Sequence, residues 1–168
     1  MTERCENEQQ KELYMRVAAL CSMNCAQYDR AVNCYNELNV KERDNAEIWV
    51  KMGQAALGAG AAERAFMCGE RALVLQPGYA DATALVGCAQ YSMRDYTAAI
   101  KSFEKITSDE KNGGISWLMR ARCYEQLGLD DEAGQAYKKA MEIEPNSKLG
   151  DLLAKGKNVE DLEFTTED

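Results

Sequence analysis

The sequence predicts an all-α chain in which helical hairpins follow one another in series, and three observations carry that prediction. Residues of one kind recur at a fixed spacing: Trp49 and Trp117, Gly60 and Gly128, Ala65 and Ala133, Ala72 and Ala140, and Pro77 and Pro145 are each separated by two periods of 34 residues. Between the breakers, apolar residues return at intervals of three and four, the spacing of one helix face. The breakers themselves alternate between short turns and longer polar links. A unit of this length cannot bury its apolar face alone and has to stack on its neighbours.

Residues 1–11, with Glu3, Glu6 and Glu8 and few apolar groups, read as a polar lead-in or as the first polar turn of a helix. The first hairpin, 12–45, pairs a helix over 11–25, marked by Leu13, Met15, Val17, Ala18, Leu20 and Cys21, with one over 28–40. Residues 41–45 link it to the next, and Asn45 suits the N-cap because its side-chain oxygen can accept from a first-turn amide. The second hairpin, 46–79, has helices over 46–57 and 61–75 around Gly58-Ala59-Gly60 and closes at Gln76-Pro77-Gly78. The third, 80–113, has helices over 79–92 and 95–108, followed by a polar run over 109–114. The fourth, 114–146, has helices over 115–127 and 130–143 and stops at Glu144-Pro145-Asn146. Residues 147–156 predict a C-terminal capping helix that lays Leu149, Leu152 and Leu153 on the open end of the stack. Residues 157–168 read as a mobile acidic tail, with the alternative that Leu162 and Phe164 return to the chain's own groove.

Composition narrows the function. With 28 acidic against 20 basic residues the net charge is -8, which argues against a nucleic-acid partner, since such binding rests on neutralising phosphates. No apolar run is long enough to span a bilayer, and the start of the chain is polar, so the expectation is a cytoplasmic or nuclear protein without a membrane partner. Seven cysteines, odd in number and scattered, suit reduced thiols. The chain has no histidine, no glycine-rich phosphate loop and no activated serine or cysteine setting, so neither a catalytic residue nor a cofactor is expected. Cys21 and Cys25 lie one helical turn apart, but no histidine or second close pair completes a metal site. Cys21 and Cys123 share their register with Ala55 and Ala89, which predicts a small, partly buried slot.

Set against the pattern W-x2-L-G-x2-Y, A-x3-F, A, P, the fourth unit supplies Trp117, Tyr124, Gly128, Ala133, Tyr137, Ala140 and Pro145. The second supplies Trp49, Gly53, Gly60, Ala65, Ala72 and Pro77, the third Gly87, Tyr96, Ala99 and Phe103, and the first Ala19, Tyr28, Ala31 and Tyr35. Over residues 12–146 the chain therefore resembles the tetratricopeptide-repeat family. The resemblance implies four repeats wound into a right-handed α-solenoid. Small residues at Ala19, Gly53, Gly87 and Ala121, facing Ala31, Ala65, Ala99 and Ala133, keep paired helix axes within about 8–10 Å. Arg120, where an apolar residue is usual, and Gly69, where an aromatic is usual, are expected to mark thin contacts.

The resemblance also implies a peptide-binding groove along the first helix of each hairpin, formed by Leu13, Arg16, Val17, Leu20, Val50, Lys51, Gln54, Leu85, Cys88, Tyr91, Leu118, Met119 and Arg122. Met23, Glu47, Leu57, Asp81, Ala84, Ile115 and Glu125 fall on the same face. A mostly apolar row points to a partner segment or helix with apolar anchors, held at its edges by Arg16, Lys51 and Arg122. The alternative is that a tight superhelix buries the row. On the groove reading, Leu85→Glu or Met119→Glu should abolish partner capture and leave helicity intact. A family subclass clamps acidic chaperone tails, but only two of the five clamp positions, Arg16, Leu20, Lys51, Asp81 and Leu85, carry a suitable charge, so that partner is not expected. The expected function is a non-catalytic protein-binding adaptor. The alternative is a permanent subunit of a larger complex, of the transcriptional-corepressor or cell-cycle ubiquitin-ligase type; the oligomeric state is left open.

Overall fold

The computed structural model describes residues 2–106 and 113–143, with side chains from Gln10 onward. These residues form eight helices: α1 (Thr2–Asn24), α2 (Tyr28–Lys41), α3 (Ala46–Gly58), α4 (Ala62–Leu75), α5 (Ala80–Ser92), α6 (Tyr96–Glu104), α7 (Gly113–Gln126) and α8 (Asp130–Ile143). Each packs against its sequence neighbours, and α3, α5 and α7 also meet one another in turn. These helices therefore form the inner layer of a right-handed α-solenoid. None of the described helices is long and apolar enough to cross a membrane.

The hairpins close where side chains are smallest. Ala31, Ala65 and Ala99 have no exposed surface, Ala133 has almost none, and Ala19, Gly53, Gly87 and Ala121 opposite them are buried as well. A Cβ added at Gly53 would stand 3.0 Å from Cys68 Cβ, and one at Gly87 would stand 2.7 Å from Phe103 Cζ. Neither position has room for a side chain. The polar link before α3 is fastened by Asn45, whose Oδ1 accepts from the Glu47 amide at 3.0 Å and whose Nδ2 donates to Glu42 at 2.8 Å. Trp49 Nε1 donates to the Arg43 carbonyl at 3.0 Å, tying the same link down.

One open alternative is decided and three expectations are modified. Of the two readings of residues 1–11 the helical one holds: α1 begins at Thr2 and runs on to Asn24. Its Glu, Gln and Lys residues are good helix formers and extend a helix already nucleated by packing. The second helix of the third hairpin ends at Glu104, where the Lys105 and Ile106 N–H groups donate to the Ser102 and Phe103 carbonyls, and Ile106 is buried in the core. Gly69 does not leave a thin contact, because Val86 of the next hairpin occupies the space that a Cβ there would need. Arg120 does not either: it lays its guanidinium 4.1 Å from the Trp117 ring centroid and donates to Glu104 at 3.2 Å. The Pro145 stop, the capping helix over 147–156 and the tail over 157–168 lie outside the described residues.

The turn inside each hairpin repeats one backbone feature. Ala26, Gly60, Arg94 and Gly128, spaced one period apart, have φ of 54°, 77°, 64° and 71°. Glycine takes this left-handed region freely, whereas a residue with a Cβ is strained there. Two of the four turns thus carry strain that the other two avoid. Arg94→Gly should accordingly raise stability by about 0.5–1 kcal/mol, read as a higher urea midpoint with an unchanged slope; a lower midpoint would refute the strain assignment.

Candidate functional site

The inner faces of α3, α5 and α7 enclose a cavity of about 90 Å³. Gln54 and Leu57 of α3 form one wall, Ile115 and Ser116 of α7 the other, and Asp81, Ala84, Leu85 and Cys88 of α5 lie between them, with Phe103 of α6 beneath. Phe103 reaches the floor because Gly87 above it has no side chain. The lining is mainly carbon, with Asp81 and Gln54 as its polar edge. A wider depression of about 790 Å³ lies at the hairpin links, lined by residues 41–47 with Leu75, Gln76 and Tyr79. Charged side chains and link backbone make up most of that surface, which offers no enclosed apolar seat.

The thirteen residues expected to form the groove separate by depth. Val50, Leu85, Leu118 and Met119 are each 3% exposed or less and belong to the core. This corrects the placement of Val50, Leu118 and Met119, which the cavity does not reach, as contact surface; Leu85 packs against Gly53 of the preceding hairpin and shows only its inner edge to the cavity. Leu85→Glu and Met119→Glu would therefore bury a charge and test the core rather than partner capture. Arg16, Lys51, Gln54, Cys88, Tyr91 and Arg122 are half-buried, and Leu13, Val17 and Leu20 are exposed. Of the thirteen, the cavity brings together Gln54, Leu85 and Cys88. Phe103 and Ser116 were missed as lining residues; Phe103 was legible only as a core aromatic four residues after Ala99.

The cationic edge is also rearranged. Arg16 donates to Glu12 at 3.2 Å and to Glu42, so its charge fastens α1 to the link before α3. The Asn45 amide, and then Arg16, hold the Glu42 carboxyl below its usual range. Arg122 lies in the electrostatic neighbourhood of Tyr91 and Tyr137, and burial, then Glu125, raises the pKa of the Tyr137 hydroxyl. Burial pushes the Cys88 thiol up to about 12, reinforced by Cys123, and burial alone raises Cys123 to about 12. Both are neutral thiols near pH 7, poor as nucleophiles and as ligands.

Residues 87–148 match the family model described as tetratricopeptide repeat. The chain superposes on the crystal structure of MamA with a TM-score of 0.72 at 24% identity, over 86% of this chain and 84% of that one. For TTC0263, a thermophilic TPR protein of Thermus thermophilus, the values are 0.74, 16%, 86% and 80%. For YrrB, described as a TPR protein with an unusual peptide-binding site, they are 0.71, 16%, 90% and 78%. Residues 87–148 carry tetratricopeptide repeats, and the chain as a whole has the tetratricopeptide-repeat fold. At these identities the likeness to the solved structures is one of fold, and no curated protein shows significant sequence similarity to the chain.

The tetratricopeptide register reveals one place where a repeated contact is missing. Ile48, Ala82 and Ser116 are buried at equivalent positions of α3, α5 and α7, as are Ala55, Ala89 and Cys123. The contact of Gly69 with Val86 and the Ala82 carbonyl places this face against the preceding hairpin. On α1 the same positions hold Tyr14, 70% exposed, and Cys21, also exposed. The slot expected at Cys21 is thus absent, because no described helix precedes α1 to close it. Together with Leu13, Val17 and Leu20, Tyr14 forms an open apolar stripe. Among the described residues no group of three or more potential ligands is placed to hold a metal ion.

Proposed function

We propose that this chain of tetratricopeptide-repeat fold is a non-catalytic adaptor that holds a segment of a partner protein along α3, α5 and α7. The carrying observation is the cavity between those three helices, which joins two successive hairpin boundaries and is floored by Phe103 and Leu85. It has the volume of roughly three waters, room for one aliphatic side chain of a docked segment. Such a seat gains energy by removing apolar area from water, and the half-buried Gln54 and the carboxylate of Asp81 on its edge orient the backbone. Arg16, by contrast, serves the fold. The 16% identical neighbour YrrB shares the fold and is described by its peptide-binding site, which agrees with this use of the scaffold.

A second reading, a permanent subunit of a larger assembly, is favoured by the stripe on α1. Leu13, Tyr14, Val17 and Leu20 expose between about half and two-thirds of their surface or more, and exposed apolar groups so close together signal a covering surface. Light scattering of the purified chain separates the readings. A monodisperse monomer supports the adaptor; association that Tyr14→Glu reverses supports the subunit.

The adaptor reading is tested by selecting a random peptide library on the folded chain and on Ala84→Trp, which fills the cavity from its wall. Where circular dichroism shows that Ala84→Trp does not fold, Ile115→Trp at the mouth replaces it. Peptides enriched on the native chain should bind the filled variant at least about tenfold more weakly, a loss of about 1.4 kcal/mol. Equal binding to both would exclude the cavity as the seat.

A further inference from the structure

The cavity opens onto carboxylates. Asp81 lines it and acts on the Tyr79 hydroxyl, and Tyr79 lines the depression at the hairpin links together with Glu47. Glu47, one repeat earlier in the same register, acts on that same phenol, and both carboxylates are exposed. The Tyr79 ring is half-buried beside them, and burial, then Asp81 and Glu47, raises its hydroxyl's pKa. Cations on the inner face do not offset this. Arg16 meets two carboxylates, Glu12 and Glu42, which leaves that cluster one charge negative. Counting Arg16, Lys51, Arg122 and the link cations Lys41 and Arg43 against Glu12, Glu42, Asp44, Glu47, Asp81 and Glu125, the region is negative by one charge, in a chain whose net charge is -8.

An acidic segment docked here would bring its own carboxylates against Asp81 and Glu47 in a partly desolvated rim, where like charges repel more strongly than in water. A basic segment meets the opposite situation. Resting on the groove reading above, we propose that the occupant is an extended, basic peptide segment. Its aliphatic side chain fills the cavity, and a lysine or arginine one or two residues away lies between Asp81 and Glu47 beside Tyr79. The two parts divide the work. The aliphatic anchor supplies area buried, which is insensitive to salt, and the cation supplies selection among segments and a faster encounter, both weakened by salt. In an extended strand side chains one or two residues apart are close enough to serve the cavity and its rim together. The Tyr79 ring adds a face on which an alkylammonium or guanidinium group can rest.

The test uses the same random peptide library, displayed on phage and selected on the full chain at low and at high salt, with the selected peptides then measured by fluorescence anisotropy. The expected result is enrichment of peptides that pair Leu, Ile, Val or Met with Lys or Arg within two positions. The double variant Glu47→Gln, Asp81→Asn should weaken those peptides about tenfold at low salt and much less at high salt, while preserving the need for the aliphatic residue. Enrichment of acidic or uncharged peptides that the cavity-filling Ala84→Trp still rejects would overturn the charge rule and leave the groove reading standing. Peptides that bind Ala84→Trp as well as the native chain, or no enrichment at all, would overturn the groove reading and this inference with it.

Discussion

Each hairpin of this chain closes on a contact between two residues that carry almost no side chain. Ala31, Ala65, Ala99 and Ala133 on the second helices and Ala19, Gly53, Gly87 and Ala121 on the first are all buried, and Gly53 comes against the Ala65 carbonyl. Because the backbones approach so closely, larger groups pack around the crossing rather than in it: Phe103 beneath Gly87, Leu85 against Gly53, Val86 over Gly69. The inner cavity is a consequence of that arrangement. Its floor is the Phe103 ring seen past a glycine, and its walls are consecutive first helices held at the spacing the small residues allow. A methyl group at Gly87 would lie within 2.7 Å of the ring, so the geometry of the site and the geometry of the fold rest on the same atoms.

Much of the fold is written in the sequence because a repeat states each rule several times. Six of the eight helices begin and end within about two residues of where spacing and breakers place them, consistent with the usual uncertainty of helix ends. The exceptions have local causes. The lead-in joins α1 because polar helix formers next to an existing helix continue it, and α6 ends early where Ile106 turns into the core. What single-residue patterns conceal is substitution across a contact: Val86 replaces the aromatic missing at Gly69, and Arg120 stacks on Trp117 where an aliphatic residue would ordinarily pack.

The site was less legible than the fold, for a reason that Leu85 and Ala84 illustrate. Both lie on the inner side of α5, and spacing places both there, yet one is 3% exposed and the other half-buried. Periodicity gives the direction in which a side chain points; depth depends on how closely the next hairpin curls over it. The same holds for charge. Nothing in the local sequence of Arg16 shows that Glu42, 26 residues away, will take up its guanidinium. End effects are a third case, since Cys21 shares its register with Ala55 and Ala89 but has no preceding hairpin among the described residues to enclose it.

If the inner layer is the working face, contact with a bound segment should be confined to it. A photo-reactive benzophenone placed at Ile115, on the cavity wall and 37% exposed, can be compared with the same group at Met67 on α4, 70% exposed and remote from the cavity lining. Irradiation with a library-selected peptide should give adducts from Ile115 and not from the more exposed Met67. Adducts from Met67 alone, or equally from both, would contradict a groove on the inner face.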